Sequence, residues 1–243
     1  MSKIRKMFYI HVFIFFLFSA IPVHAEVCSA DNWCWQNPFP QGFCSPKSIW
    51  GSSDSNIFAV GDCGGLHYDG SEWGRINLGS SAPLTAVWGA GSSDIFTIGW
   101  YGTILHYNGS KWTSLFSGTA KHLYGIWGSS GSDVFAVGKN GTILHYDGSE
   151  WTSLFSGTEK HLYGVWGSSG SDVFAVGKDG TILHYDGLEW ASMTSEVSEE
   201  LTGIHGTGSN DVFAVGQDGT ILHYDGSEWT SLAMWTGLYD VWC

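Results

Sequence analysis

The chain has 243 residues, a formal net charge of −13, 34 glycines and 5 prolines. Hydrophobic residues make up 43%, enough for a sizeable core, and so much glycine favours many tight turns over long helices. The acidic balance excludes nucleic acid and anionic membrane surfaces as partners, because like charges repel.

Lys3, Arg5 and Lys6 form a basic start, Met7 to Phe18 is an almost unbroken apolar run, and Val23-His24-Ala25 ends on a small residue. This layout predicts a secretory leader over 1–25 and a secreted or periplasmic location for the rest. An uncleaved membrane anchor is the competing reading, but the apolar run is shorter than the roughly 20 residues a spanning helix needs. Removing the leader leaves a still more acidic chain, with no stable membrane insertion and Arg75 as its single arginine. A cysteine-containing segment follows over 26–47, with Cys28, Cys34 and Cys44, and further cysteines stand at Cys63 and Cys243. In an exported chain these are expected to form disulfides of undetermined pairing, one thiol being left over because five is odd. A zinc site is the alternative, although neither a Cys-x-x-Cys pair nor a ladder of histidines accompanies the cysteines.

From about residue 48 the sequence repeats. His-Tyr occurs at His67, His106, His145, His184 and His223, every 39 residues, and a tryptophan follows six residues later each time. A fixed period of this size marks a repeat architecture. In the unit 162–194, Leu162 to Trp166 reads as a strand, Val173-Phe174-Ala175-Val176 as a second, Thr181 to Tyr185 as a third, and Trp190 opens a fourth. Lys178-Asp179-Gly180 between the second and third is a tight hairpin, since Asx-Gly supplies the positive φ angles such a turn requires. Val173 and Ala175 point to one face and Phe174 and Val176 to the other, so the strand is apolar on both. Gly164 and Gly167 suit an innermost strand crowded against its neighbours.

Four short antiparallel strands per repeat predict an all-β fold, a β-propeller of four-stranded blades over 48–243. A β-solenoid is the competing architecture, with shorter repeats and parallel strands. Five complete blades are visible. Trp35 to Phe39 reads as an additional outer strand and Leu238 to Trp242 as an additional first strand, the unpaired strands of a possible sixth blade. Either five blades close the ring with both extra strands as caps, or the chain is a fragment of a longer propeller whose ring stays open and whose free edges invite self-association.

The unit Gly-x-Trp-Gly-Ser-Ser-x-x-Asp-Val-Phe-Ala-Val-Gly-x-x-Gly-Thr-Ile-Leu-His-Tyr-Asp-Gly-x-x-Trp resembles the repeats of the WD-repeat, YVTN and bacterial-neuraminidase-repeat propellers. Asp186-Gly187-Leu188-Glu189-Trp190 is similar to an Asp-box that is one residue short. Resemblance to Asp-box sialidases implies an arginine clamp on a substrate carboxylate, which Arg75 alone cannot build. The similar photosystem-assembly propellers depend on arginine patches, again absent here. A carboxylate-pair glycosidase is open by residue type, yet no Asp or Glu stands out from the repeated background. Neither a Gly-x-Ser-x-Gly elbow nor a His-Glu-x-x-His helix occurs. No enzyme, cofactor or metal is therefore expected.

Strand order puts the second-to-third hairpins and the blade-to-blade links on one face. That face gathers Lys121, His122, Tyr124, Lys160, His161 and Tyr163 from the links, and Lys139 and Lys178 from the hairpins. Trp100 and Tyr101 occupy a hairpin that elsewhere reads Lys-Asn or Lys-Asp. These ten residues are the candidate binding site, because loops on a rigid scaffold carry recognition. The recurring histidines and aspartates are expected to hold packing and turns rather than ions. Residues 113–151 and 152–190 differ at four positions, so two blades present nearly the same surface twice. That suits a binding module for an extracellular glycan or protein, or a structural assembly module, better than an asymmetric catalytic site.

Overall fold

The computed structural model describes residues 45–234 and two short strands, Val27–Cys28 and Cys34–Trp35. The short strands pair antiparallel within the unit Met1–Pro38; all five sheets lie in the unit Phe39–Cys243. The expected leader, residues 36–39 of the expected extra outer strand and the expected strand at Leu238 to Trp242 lie outside the described residues.

Five four-stranded antiparallel sheets follow one another, each a meander. Blade 1 comprises Pro46–Ser53, Asn56–Gly61, Gly64–Tyr68 and Trp73–Ile76, starting two residues before the predicted boundary. Blade 2 comprises Leu84–Gly91, Asp94–Gly99, Ile104–Tyr107 and Trp112–Leu115. Blade 3 comprises Leu123–Ser130, Asp133–Gly138, Ile143–Tyr146 and Trp151–Leu154. Blade 4 comprises Leu162–Ser169, Asp172–Gly177, Ile182–Tyr185 and Trp190–Met193. Blade 5 comprises Leu201–Gly208, Asp211–Gly216, Thr220–Tyr224 and Trp229–Met234.

The short loops dictate this meander. In the second-to-third hairpins Asn140 and Gly141 take φ of 55° and 66°, and Asp179 and Gly180 take 56° and 65°. Two successive left-handed residues match the right-handed twist of the flanking strands. The first strands of consecutive blades pack side by side, with a reciprocal fit. A Cβ on Gly167 would lie 2.7 Å from the indole of Trp127 in the preceding blade, so the repeated tryptophan needs the repeated glycine beside it.

Both faces of the second strand are buried in blades 2, 3 and 4, because each of these is sandwiched between two neighbours. Val173 and Ala175 pack with Phe135 and Val137 of blade 3, while Phe174 and Val176 pack with Val212 and Ala214 of blade 5. Four such cores join blades 1 to 5 in order, and none of the described residues forms a fifth core between blade 5 and blade 1. Phe96, Phe135 and Phe174 are at most 1% exposed, whereas their counterpart Phe213 in blade 5 is partly exposed. At the other end Ile49 is 65% exposed, while Val87, Val165 and Ile204 at the same position are buried. The described blades thus form an open arc.

The opposite face from the hairpins is held by two sets of aspartates. His106, His145, His184 and His223 bond through Nε2 to Asp94, Asp133, Asp172 and Asp211 at 2.6–2.8 Å, and each ring stacks on a phenylalanine at 4.3–4.5 Å. Ser129, Ser168 and Thr207 donate to the second carboxylate oxygen of Asp133, Asp172 and Asp211. The recurring His therefore ties the third strand to the start of the second, the structural role its repetition implied. The other set caps the third-to-fourth turns. Asp147 Oδ1 accepts from the Ser149 hydroxyl and from the Ser149 and Glu150 amides, as Asp225 does from Ser227 and Glu228.

Hydrogen bonds from those serine hydroxyls and amides hold the carboxyls of Asp147 and Asp225 down at about 2, from an ordinary value of 3.8. A folded-state value below the unfolded one means stability that is fully present above the unfolded value and lost as pH falls through the folded one. The melting-temperature gap between the wild type and Asp147→Ala is therefore expected to stay constant above roughly pH 4 and to shrink toward pH 2. Thermal melts across that range check it; a gap independent of pH would contradict it.

Candidate functional site

The hairpins and links meet on one face in a repeating pattern. The amide of Tyr101 donates to His122 Nδ1 at 3.1 Å, and one blade later the amide of Asn140 donates to His161 Nδ1 at the same distance. An Nδ1 that accepts leaves the other nitrogen of each neutral imidazole, Nε2, carrying the proton. Each hairpin is thus docked onto the link that follows it, and the strand ends place the aromatic residues beside that joint.

Trp100, Tyr101 and His122 form one cluster: the Trp100 indole stacks on His122 at 4.7 Å and 23°, and Tyr101 meets the same imidazole edge-on at 5.2 Å. Tyr124, His161 and Tyr163 form the next, with the two phenol rings 5.5 Å apart and His161 at 6.3 and 6.4 Å from them. His122 and Tyr124 lie two residues apart at the start of blade 3, so the clusters follow one another along the face. Of the lysines, Lys121 Nζ bonds the Asn140 carbonyl and Lys160 pairs with Asp179, while Lys139 and Lys178 stand exposed at the hairpin tips. The structure therefore brings six predicted residues into two aromatic clusters and sets four lysines around them.

Burial raises the hydroxyl of Tyr124, and burial together with the nearby Glu200 carboxylate pushes Tyr163 up to about 12. Both phenols stay protonated at neutral pH and can donate; Tyr163 already donates to Glu200 Oε2 at 3.2 Å. The hydrogen bond from Lys160 holds Asp179 below the usual carboxylate range. Behind this pair a cavity of about 420 Å³ opens beside Thr181, Met193 and Glu196.

Tyr101 has φ of 57°, in the left-handed region where the other hairpins place Asn140, Asp179 and Asp218. A bulky residue there is strained, and strain tends to be kept at sites of function. Tyr101→Asn is expected to stabilise the fold by about 1 kcal/mol while removing a 65%-exposed aromatic from the face. Paired denaturation and binding measurements check that opposition; a destabilised variant would contradict it.

Sequence reading did not single out Glu200, which holds the place of His122 and His161 in the next link. It accepts from Tyr163 and from Gln217 Nε2 at 3.1 Å, turning the face acidic at blade 5. The signal was present as a break in the repeat, Glu199-Glu200 where Lys160-His161 stand one unit earlier. Among the described residues, no group of three or more His, Cys, Asp or Glu side chains is placed to hold a metal ion, and no helix is long and apolar enough to cross a membrane.

No known protein-family profile and no curated protein matches the sequence. Solved structures do match. The chain is similar to YCF48 bound to D1 peptide, at 18% identity and a TM-score of 0.61, over 76% of this chain and 66% of that one. It is similar to U3-55K at 14% identity and 0.69, over 79% and 64%, and to the WD40 repeats of RRP9 at 14% and 0.66, over 79% and 63%. It spans less than two thirds of each of those chains. Together with the five meandering sheets, these likenesses identify the fold as that of the repeat β-propellers.

Proposed function

We propose that this chain is a non-catalytic recognition module, exported from the cell, whose linker-loop face binds an extended acidic segment of a partner protein. The observation that carries this reading is the continuous run from Trp100 to Tyr163, two aromatic clusters ringed by Lys121, Lys139, Lys160 and Lys178 on a chain of net charge −13. Aromatic anchors in a polar rim are the usual composition of binding hot spots. A propeller of the same fold carries a peptide in its solved structure, which supports a peptide as ligand. The basic and apolar start of the sequence supports export, and an oxidising compartment would suit its five cysteines. No cofactor is required.

A surface glycan is the second reading. It is favoured by the repetition of one joint, Tyr101 to His122 and Asn140 to His161, at identical distance in consecutive blades. Equal sites at equal spacing suit a polymer, where avidity adds to weak single contacts. An array of acidic peptides and of glycans, probed with the purified chain, separates the two. Binding to acidic peptides that weakens about tenfold or more in Trp100→Ala and His161→Ala is expected, because these positions anchor both clusters. Variants that bind as the wild type does would overturn the linker-face site.

A further inference from the structure

The cleft between blades 1 and 2, on their outer flank, departs from the other three. A cavity of about 360 Å³ opens there, within the range of small-ligand sites. Phe58, His67, Tyr107 and Trp112 supply its aromatic wall: His67 stacks on Phe58 at 4.4 Å, and Trp112 meets Phe58 edge-on at 6.1 Å. Trp112 is partly exposed, whereas its counterparts Trp151, Trp190 and Trp229 are buried.

The acids of the repeat are missing from this cleft. The residue bonded to the stacked histidine is Asp94, Asp133, Asp172 or Asp211 in the other blades; here it is Asn56, whose Oδ1 lies 2.7 Å from His67 Nε2. The third-to-fourth turn begins with aspartate and ends with glutamate in four copies, as in Asp147-Gly148-Ser149-Glu150, but reads Asn108-Gly109-Ser110-Lys111 in blade 2. Lys111 makes no salt bridge to a described carboxylate, and among the described residues it is the sole formally charged side chain lining the cavity. Desolvation lowers His67, keeping it neutral at pH 7. The nearby Asp69 is turned onto its own turn, where it accepts from Ser71 and Glu72. Three substitutions thus replace carboxylates by two amides and one ammonium around a single cleft, on a strongly acidic chain.

We infer that this cleft binds a sugar carrying one carboxylate, a hexuronate unit, with the carboxylate on Lys111 and the ring against Trp112. The ammonium provides the charge-assisted contact. Asn56, Asn77, Ser92 and Ser110, all lining the cavity, offer donors and acceptors for ring hydroxyls. An apolar aromatic acid would leave those groups without partners, which is how a polar-lined site rejects it. The site is separate from the linker-loop face, so the two readings stand or fall independently.

The test is saturation-transfer NMR with titration calorimetry on the full chain, using glucuronate, glucose and benzoate as probes. Glucuronate should bind, and glucose and benzoate should bind at least tenfold more weakly. Lys111→Glu, which restores the residue type of the other blades at an exposed position, should abolish the signal. Asn56→Asp should weaken it several-fold, and melting temperatures near that of the wild type should show that both variants fold. No glucuronate binding by the wild type, equal binding of glucose or benzoate, or undiminished binding by Lys111→Glu would each overturn the assignment. Trp100→Ala should leave glucuronate binding unchanged, and its loss in that variant would place the ligand on the other face.

Discussion

Replacing Phe135 by alanine is expected to cost about 3–5 kcal/mol, the range for deleting a fully buried aromatic ring. Phe135 is fully buried and meets four rings: His145 and Trp127 of its own blade at 4.4 and 6.4 Å, and Tyr185 and Trp190 of blade 4 at 5.6 and 6.2 Å. Its loss opens a hole between two blades rather than within one, and neighbouring sheets cannot both collapse into it. For a chain of this size that corresponds to a drop in melting temperature of about 6–20 °C. The same substitution at Phe213 provides the internal comparison. Phe213 stacks on His223 at 4.5 Å as its counterparts do, but its ring is partly exposed and lies in none of the four cores. Phe213→Ala should cost about 2 kcal/mol or less, since less apolar surface is withdrawn from water to begin with. Equal costs at the two positions would mean that blade 5 is covered on its far side as fully as blade 3, contrary to the open arc.

Gly141→Ala is the second large effect, at least about 2 kcal/mol, or roughly 4–8 °C in melting temperature. Gly141 has φ of 66°, which disfavours any side chain, and a Cβ there would run into the carbonyl oxygen of Thr158 in the following link. The amide of Gly141 also donates to the Lys160 carbonyl at 2.6 Å, so the backbone has no room to retreat without releasing the joint between hairpin and link. Gly157→Ala separates the two causes. Its φ of 71° is similar, but the nearest atom to its Cβ is a ring carbon of Phe155 at 4.0 Å. Gly157→Ala should therefore show only the conformational cost, about 1 kcal/mol. Thermal melts of the two variants decide it, and a Gly141 variant no worse than the Gly157 variant would contradict the close approach.

The blade is legible in the sequence because every element of it is local. Val173 to Val176 reads as a strand apolar on both faces, and Asn140-Gly141 reads as a hairpin with positive φ, with no knowledge of what lies across the cleft. The His–Asp pairs were less legible. His184 and Asp172 are 12 positions apart, and only the strand register shows that one holds the other. Trp100 and Tyr101 stood out as departures from a repeated hairpin, and the structure sets them against His122. The same signal was available in Asn56 and Lys111, but each looks like a minor exchange until the packing of blade 1 against blade 2 puts both on one cavity. An open ring was legible in the sequence as one of two outcomes, but not its exposed end, since Phe213 is identical to Phe174 in type and local context and differs only in its neighbours.

Hydrogen exchange tests the linker-loop face as a recognition surface most directly. The intact chain would be compared alone and with the tightest acidic peptide from the array. New protection at the amides of Tyr101 and Asn140, which sit at the hairpin–link joints, is expected when the peptide lies across the two aromatic clusters. Protection confined to the amides of Ser71, Ser149 and Ser227, in the turns of the opposite face, would contradict it.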